Sequence, residues 1–204
     1  MKIHRLIGTF GSNIYIIDNE QGEGIVIDPS GKGSKILEFA FNHNITLKYA
    51  LLTHGHFDHI GAGHELQQQG VKIIVHKDDA DKLYTQNNMG AIFSRYVEPF
   101  FADEVLKGDT ELDLISIKIK AIHTPGHTRG GTCYIIGDNI FTGDTIFCED
   151  IGRSDIGKEG SFADLKNSIV NKLFRLSGDY KIYPGHEEAT TLEHERKFNP
   201  INNL

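Results

Sequence analysis

Four candidate metal ligands lie within six positions of one another in the segment THGHFDH, residues 53–59. His54 and His56 are two positions apart, so in an extended chain both side chains project to the same side and can hold one ion. Asp58 and His59 follow, and we predict that a turn carries them towards a neighbouring position. Imidazole nitrogens and carboxylate oxygens are ligands of zinc and of other late first-row metals. Because one catalytic ion rarely takes so many ligands from one loop while keeping an open position, the segment predicts two ions.

Three further candidate ligands lie at strand-to-loop boundaries, each beside a glycine: His127, Asp144 and His186. Glycine lets the backbone turn closely past an ion. Any one of these residues alone is more often an ordinary turn or surface residue. A structural zinc site is a second alternative, but such sites are usually cysteine-rich and closed, and Cys133 and Cys148 lack ligand spacing. The predicted assignment gives one ion to His54, His56 and His127, the other to Asp58, His59 and His186, and leaves Asp144 free to bridge both.

Charge and composition narrow the class of partner. The 204 residues include 21 basic and 28 acidic side chains, for a net charge of −7. No basic run stands out, so we expect neither a nucleic acid nor an anionic membrane as a partner. No apolar stretch approaches the roughly 18 residues of a membrane span, and the N-terminus lacks a signal-peptide pattern. Two cysteines make no disulfide framework. We therefore expect one globular domain over residues 1–204, located in the cytoplasm, with a small-molecule substrate.

Hydrophobic patterning predicts strands interspersed with helices. The predicted strands cover residues 3–7, 13–18, 24–28, 47–53, 71–76, 114–122, 132–136, 139–142 and 180–183. The predicted helices begin at the N-caps Ser34 and Ser161 and end near residues 43 and 176, and shorter ones cover 63–69, 78–83 and 191–197. Residues 85–105 carry aromatic side chains without a clear period. Hairpin-rich strands mixed with helices favour the α/β class, with two sheets and helices outside them.

These motifs together resemble those of the metallo-β-lactamase superfamily, and within it of the glyoxalase II-like hydrolases. The resemblance spans nearly the whole chain and rests on GIVIDP (24–29), THGHFDH (53–59), HTPGHTRGGTC (123–133), GDTIF (143–147) followed by IGR (151–153), and YPGH (183–186). It implies a four-layer αβ/βα sandwich of two facing mixed sheets with outer helices, and a site at one edge of the sheets. It implies the same seven metal ligands, with Asp28 supporting the metal loop from behind.

The resemblance also bears on the subfamily. Known β-lactamases of this fold lack a bridging aspartate, so Asp144 argues against that activity. Full-length glyoxalase II carries a C-terminal helical domain, whereas this chain ends at Leu204, so the expectation is a compact form without that domain. Arg153 lies where the larger enzymes place a basic residue facing a glutathione carboxylate; the alternative is a solvated loop charge. Glu187 follows His186, the last of the candidate ligands, and the residue type at this position does not distinguish the compact from the larger proteins.

The expected activity is hydrolysis of a thioester such as S-lactoylglutathione by a hydroxide that bridges two divalent ions and is oriented by Asp58. Zinc is the expected metal, and iron or manganese also fit such ligands. Three alternatives stay open. One is a persulfide dioxygenase with a single iron, one is a lactone or phosphoester hydrolase on the same fold, and one is a metal-binding protein without activity. The oligomeric state is not predicted.

Overall fold

Two mixed β-sheets face each other in the computed structural model of the chain, which describes residues 1–155 and 159–204. The first sheet has the strand order β1 (Lys2–Ile7), β2 (Asn13–Asp18), β3 (Glu23–Ile27), β4 (Thr46–Leu51), β5 (Lys72–His76) and β6 (Glu104–Leu106). The second has the order β14 (Thr190–Thr191), β13 (Lys181–Pro184), β10 (Asn139–Gly143), β9 (Thr132–Ile136), β8 (Ile117–His123) and β7 (Thr110–Leu114). A small hairpin pairs β11 (Ile146–Phe147) with β12 (Asp150–Ile151).

Helices cover the outer face of each sheet. The first sheet carries α1 (Gly33–Asn42), α2 (Phe57–Ile60) and α3 (Gly63–Gln68), and the second carries α4 (Phe162–Asn167) and α5 (Leu192–Phe198). A π-helical segment, Ser168–Leu173, continues α4. Short 3₁₀ turns lie at Thr9–Gly11, Ala80–Leu83, Gln86–Asn88, Gly90–Phe93 and Pro200–Asn203. No helix in the described ranges is long and apolar enough to cross a bilayer.

Side chains that alternate between the two faces of each strand form the apolar layers on both sides of the sheets. In β2, Ile14 and Ile16 pack towards the helices of the first sheet, whereas Tyr15 and Ile17 pack into the space between the sheets. Successive strand residues point to opposite faces, so a strand buried on both sides is apolar throughout. A third cluster lies between the second sheet and its helices, and includes Leu165 of α4. The four-layer αβ/βα sandwich expected from the sequence is confirmed.

Most predicted elements are present, and the differences have local causes. The predicted strand 114–122 is present from Ile117 as β8, but its start is wrong: Leu114 ends β7, and the chain turns back at Ile115 and Ser116, which have φ of +48° and +64°. Neither residue type signals a turn with positive φ, since glycine, asparagine and aspartate dominate such turns. Ser34 is not an N-cap: α1 begins at Gly33, and the Ser34 backbone N–H donates to Glu65. Ser161 is the predicted cap of α4, and its hydroxyl accepts from the Asp164 backbone N–H at 3.2 Å.

Neighbouring strands end together, and this places the ligand-bearing loops side by side. In the first sheet, β3 and β4 are parallel, so the residues that follow each of them, 28 and 52–56, emerge at one edge. In the second sheet, β10 and β13 are parallel, so Asp144 and His186 also emerge side by side. The facing sheets bring these two edges together.

Candidate metal centre

All seven predicted metal ligands meet at this shared edge. His54 and His56 lie on the loop after β4, and Asp58 and His59 lie on the single turn of α2. The other three come from the second sheet and follow β8, β10 and β13: His127, Asp144 and His186. The seven side chains form two adjacent groups with Asp144 between them.

The first group consists of His54, His56 and His127. Their ring centroids are 4.7–4.8 Å apart. The Nε2 atom of His127 is 2.9 Å from Nδ1 of His56. One ligand atom from each of the three residues falls within 4.8 Å of the others. Three imidazoles at this spacing match a catalytic zinc-type site that keeps a further position for water or substrate.

The second group consists of Asp58, His59 and His186. The two Nε2 atoms of His59 and His186 are 3.3 Å apart, which is the separation that ligands about 2.0–2.1 Å from one ion have at a tetrahedral angle. Asp58 Oδ2 is 3.4 Å from His186 Nε2 and 3.8 Å from His59 Nε2. The group therefore offers two imidazoles and a carboxylate to one ion.

Asp144 lies between the two groups. Its Oδ2 atom is 3.6 Å from His127 Nε2 of the first group and 3.7 Å from His186 Nε2 of the second. Its Oδ1 atom is 3.4 Å from His59 Nε2. One carboxylate that faces ligands of both groups has the position that a bridge between two ions would need.

Hydrogen bonds behind three of the histidines fix which nitrogen faces the centre. His59 Nδ1 lies 2.9 Å from the Asp28 carboxylate, and His127 Nδ1 lies 2.6 Å from the Arg153 carbonyl oxygen. Both partners are acceptors, so each Nδ1 carries the proton and donates. His54 Nδ1 is 3.1 Å from the Thr53 hydroxyl. With Nδ1 as the donor, each of these rings can present its Nε2 lone pair to an ion at the centre, and such outer partners orient metal ligands and raise their basicity.

Asp28 holds the metal loop as well as His59. Its two oxygens accept from the Thr53 backbone N–H at 2.7 Å and from the Thr53 hydroxyl at 2.6 Å. Asp28 is 2% exposed and has a φ of +49°. Aspartate is one of the few residue types other than glycine that adopt a left-handed backbone, and residues in this conformation are concentrated at functional sites. The structure thus places Asp28 behind the loop, in contact with Thr53 and His59.

Without a bound ion, the ionisable side chains of the site strongly shift one another's pKa values. Burial lowers the pKa of His59, but the carboxylates of Asp144, Asp28 and Asp58 outweigh it and raise that pKa to about 10. Burial raises the pKa of Asp58, but the hydrogen bond and charge of His186 and the charge of His59 lower it to about 2. Burial and the surrounding histidines hold the pKa of His54 well below 6.5. A proton on His59 therefore neutralises carboxylates where a metal cation would otherwise do so.

The ligand loop after β13 is anchored by the first sheet. The Asn13 side-chain amide donates to the carbonyl oxygens of Pro184 and Glu187, both at 2.9 Å. The Tyr15 hydroxyl donates to the Pro184 carbonyl at 2.8 Å. A Cβ atom on Gly185 would lie 2.2 Å from Asp144 Oδ1, so the glycine before His186 is required by the close approach of the Asp144 carboxylate.

A cavity of about 510 Å³ opens onto the centre. Its lining combines ligands with aromatic and charged residues: Phe10, Gly11, His127, Asp144, Phe147, Arg153, His186 and Glu187. The Arg153 guanidinium is 68% exposed and donates to both oxygens of Asp155, at 2.9 and 3.1 Å. The structure thus places Arg153 at the rim of the cavity, where its backbone carbonyl already orients His127.

Sequence reasoning missed three charged residues next to the first group: Asp79, Lys82 and Glu159. Lys82 Nζ is 2.9 Å from Asp79 Oδ1 and 2.7 Å from Glu159 Oε2. Glu159 Oε1 lies 3.7 Å from His56 Nε2. The only local signal was a lysine three residues after an aspartate on a short turn, and nothing in the spacing connected either residue with Glu159.

The residues present fit a pair of metal ions. His54 Nε2 and Asp144 Oδ1 are buried and have no hydrogen-bond partner among the described residues. Unpartnered buried polar atoms are costly and need an explanation, and a cation held by both groups supplies one. The donor set of five imidazoles and two carboxylates suits zinc, iron or manganese and does not distinguish among them.

Known proteins share both this sequence pattern and this fold. The chain belongs to the metallo-beta-lactamase superfamily, whose family model matches residues 7–186. Its relatives support a metal-dependent hydrolase. It is 31% identical over 204 residues to the hydroxyacylglutathione hydrolase GloC of Haemophilus influenzae, covering 97% of this chain and 95% of that protein.

Two solved structures are similar to the whole chain. The BLEG-1 B3 metallo-beta-lactamase matches with a TM-score of 0.92 and 28% identity, covering 98% of both chains. The di-iron-bound form of TTHA1623 matches with a TM-score of 0.84 and 25% identity, covering 98% of this chain and 99% of that one. A likeness of this extent confirms the superfamily fold. One neighbour is named for a lactamase activity and the other for a di-iron centre, so the two names do not point to one activity or one metal.

Proposed function

We propose that the protein is a dinuclear metal-dependent hydrolase of thioesters, acting on S-lactoylglutathione or a similar small-thiol ester in the cytoplasm. The observation that carries the proposal is the position of Asp144, whose carboxylate faces His127 of one ligand group and His59 and His186 of the other. The similarity to GloC, which is named a hydroxyacylglutathione hydrolase, supports the choice of substrate.

Two divalent ions, which we propose to be zinc, would polarise a carbonyl group and lower the pKa of a water molecule. The seven ligands would hold them, and Asp58 has the position of the residue that orients the attacking water. Its carboxylate is 16% exposed, so it contacts both the ligand group and the solvent side of the centre. From there Asp58 accepts a hydrogen bond from the attacking water and orients its lone pair towards the thioester carbonyl.

The leaving group explains why few proton donors are needed. A thiolate is a weak base, so it departs without a strong general acid. The hydroxyl or thiol nucleophile of a covalent mechanism is also unnecessary. Cys133 is fully buried in β9 with a thiol pKa raised by burial to about 11, which suits a core residue.

The cavity suits a substrate with an apolar and an anionic part. Phe10 and Phe147 form apolar walls beside the ligands, and Arg153 places a cation at the rim. We propose that the acyl and thioester region packs between the aromatic rings and that a carboxylate of the thiol carrier pairs with Arg153. The exposed ion pair with Asp155 is worth little in water, so the guanidinium is available to exchange partners.

The test combines metal analysis with substrate comparison on the purified protein. Two metal ions per chain together with thiol release from S-lactoylglutathione support the proposal. Parallel assays offer the protein a β-lactam, a lactone, a phosphodiester or glutathione persulfide, and oxygen uptake is measured with the persulfide. Hydrolysis of another class without thiol release, or a single iron with oxygen uptake, would replace the proposal with the corresponding alternative.

A further inference from the structure

A chain of three charged side chains, Asp79, Lys82 and the partly exposed Glu159, lies behind the first ligand group. Asp79 is 0% exposed and Lys82 is 2% exposed. The Lys82 ammonium bridges the carboxylates of Asp79 and Glu159 at 2.9 and 2.7 Å. Burying charges costs several kcal/mol per ion unless they are paired and hydrogen-bonded. An arrangement of this cost next to a ligand needs a role besides stability.

Asp79 connects two of the ligand loops. Its carboxylate accepts from the Gly55 backbone N–H, the Thr128 hydroxyl and the Gly130 backbone N–H, each at 2.8 Å. Gly55 lies between two ligands of the first group, and Thr128 directly follows the third. One carboxylate thus fixes the loops that supply all three histidines of the first group.

The glycines of these loops are matched to the chain of charges. A Cβ atom on Gly55 would lie 2.7 Å from the Cβ of Lys82, and one on Gly130 would lie 2.6 Å from the Cγ of Asp79. Real Cβ atoms do not approach other atoms this closely, so both positions require glycine. The two ligand loops therefore contain glycine at the positions where Lys82 and Asp79 pack against the backbone.

Glu159 completes the arrangement at His56. Nδ1 of His56 faces Nε2 of His127 at 2.9 Å, so Nε2 of His56 points away from the centre. That Nε2 atom is buried and has no hydrogen-bond partner among the described residues. The acidic oxygen next to it is Oε1 of Glu159, at 3.7 Å. The other two histidines of the first group already have an outer partner, Thr53 or the Arg153 carbonyl.

We propose that Asp79, Lys82 and Glu159 form a positioning network that orients His56 through its Nε2–H and sets the metal affinity of the His54–His56–His127 group. Lys82 holds the Glu159 carboxylate in place, and that carboxylate accepts from His56 Nε2–H when Nδ1 binds an ion. A carboxylate partner fixes the tautomer and raises the basicity of the ligand, and its loss typically costs 10–100-fold in metal affinity. The inference rests on the proposed function only in requiring an ion at this group.

The test is a competition titration with Zn²⁺ and a chromophoric chelator on the metal-free protein. We expect Glu159→Gln, which keeps the shape and removes the charge, to weaken one of two Zn²⁺ equivalents by at least ~10-fold and leave the other within about twofold. The control is Glu111→Gln, which removes an exposed carboxylate on β7. A far-ultraviolet spectrum and a melting curve of the metal-free variants show whether the fold is unchanged.

A double-mutant cycle separates positioning from a general structural effect. His56→Ala should weaken the same equivalent, and Glu159→Gln should add no further loss in that background, because the two residues act as one unit. Additive losses, equal weakening of both equivalents, or unchanged affinity in Glu159→Gln would overturn the proposal. The titration does not depend on activity, so a failure to hydrolyse thioesters would overturn the proposed function and leave this result intact.

Discussion

Replacing Asp28 with asparagine tests how the second ligand group is oriented. Asparagine has the same shape and tolerates the φ of +49° at this position. Its amide group, however, can accept at only one of its two polar atoms. The Asp28 carboxylate accepts from the Thr53 backbone N–H and hydroxyl, and from His59 Nδ1–H. If the amide oxygen keeps the Thr53 backbone N–H, the amide nitrogen faces His59.

The magnitude follows from the tautomer of His59. An amide N–H next to His59 Nδ1 forces that atom to accept, so the proton moves to Nε2, the atom that lies 3.3 Å from His186 Nε2. A protonated Nε2 cannot bind an ion. Loss of an outer partner of this kind costs about 10–100-fold in metal affinity, which corresponds to about 1.4–2.8 kcal/mol. We expect that loss on the Zn²⁺ equivalent bound by Asp58, His59 and His186.

The assay is Zn²⁺ competition against a chromophoric chelator, with Asp113→Asn as the control for removing an exposed carboxylate on β7. The proposed hydrolysis rate should fall in parallel, because both ions take part. If the Asp28→Asn variant binds both Zn²⁺ ions with the affinity of the unchanged protein, then the Asp28 carboxylate does not set the tautomer of His59 and the reasoning is wrong.

Three further predictions concern the bridge, the cavity rim and pH. Asp144→Ala should lower turnover by at least ~10²-fold and release one metal equivalent more readily; near-normal turnover removes Asp144 from the mechanism. Arg153→Ala should raise the KM of a carboxylate-bearing thioester by about tenfold at constant kcat, and an unchanged KM makes Arg153 a solvated loop charge. In metal-free protein, the raised pKa of His59, about 10 against 6.5, gives stability that is complete below pH 6.5 and lost as pH rises towards 10. The free energy of unfolding should therefore fall by about 1.4 kcal/mol per unit between pH 7 and 9, and His59→Gln should flatten this slope in chemical denaturation.

The ligands could be predicted from sequence because their signal is local. The spacing of His54 and His56 follows from the geometry of an extended chain, and the adjacent glycines mark close backbone approaches. The layers could be predicted because apolar strands alternate with amphipathic helices, as in β2. That the seven ligands meet at one edge depends on which strands are neighbours, and for that the resemblance to a known family was needed.

Other features could not be predicted because their causes are distant in sequence. The turn at Ile115–Ser116 has no favoured turn residue, and it forms because β7 and β8 both bury apolar side chains against the facing sheet. The pairing of Lys82 with Glu159 joins residues 77 positions apart. Sequence patterns report on residues that share a strand or a helix turn, so a contact of this kind leaves no periodic signal.

The ligands come from both sheets, so the candidate metal centre affects how the two sheets are held together as well as the chemistry. His54 to His59 come from the first sheet, whereas His127, Asp144 and His186 come from the second. An ion held by both sets connects the two sheets at their open edge, where the apolar layer between them ends. Binding that occurs only in the folded state raises the free energy of unfolding by mass action. Asp28, Asp79 and Asn13 hold these loops through hydrogen bonds within the protein, so the ligand loops have ordering contacts that do not involve an ion.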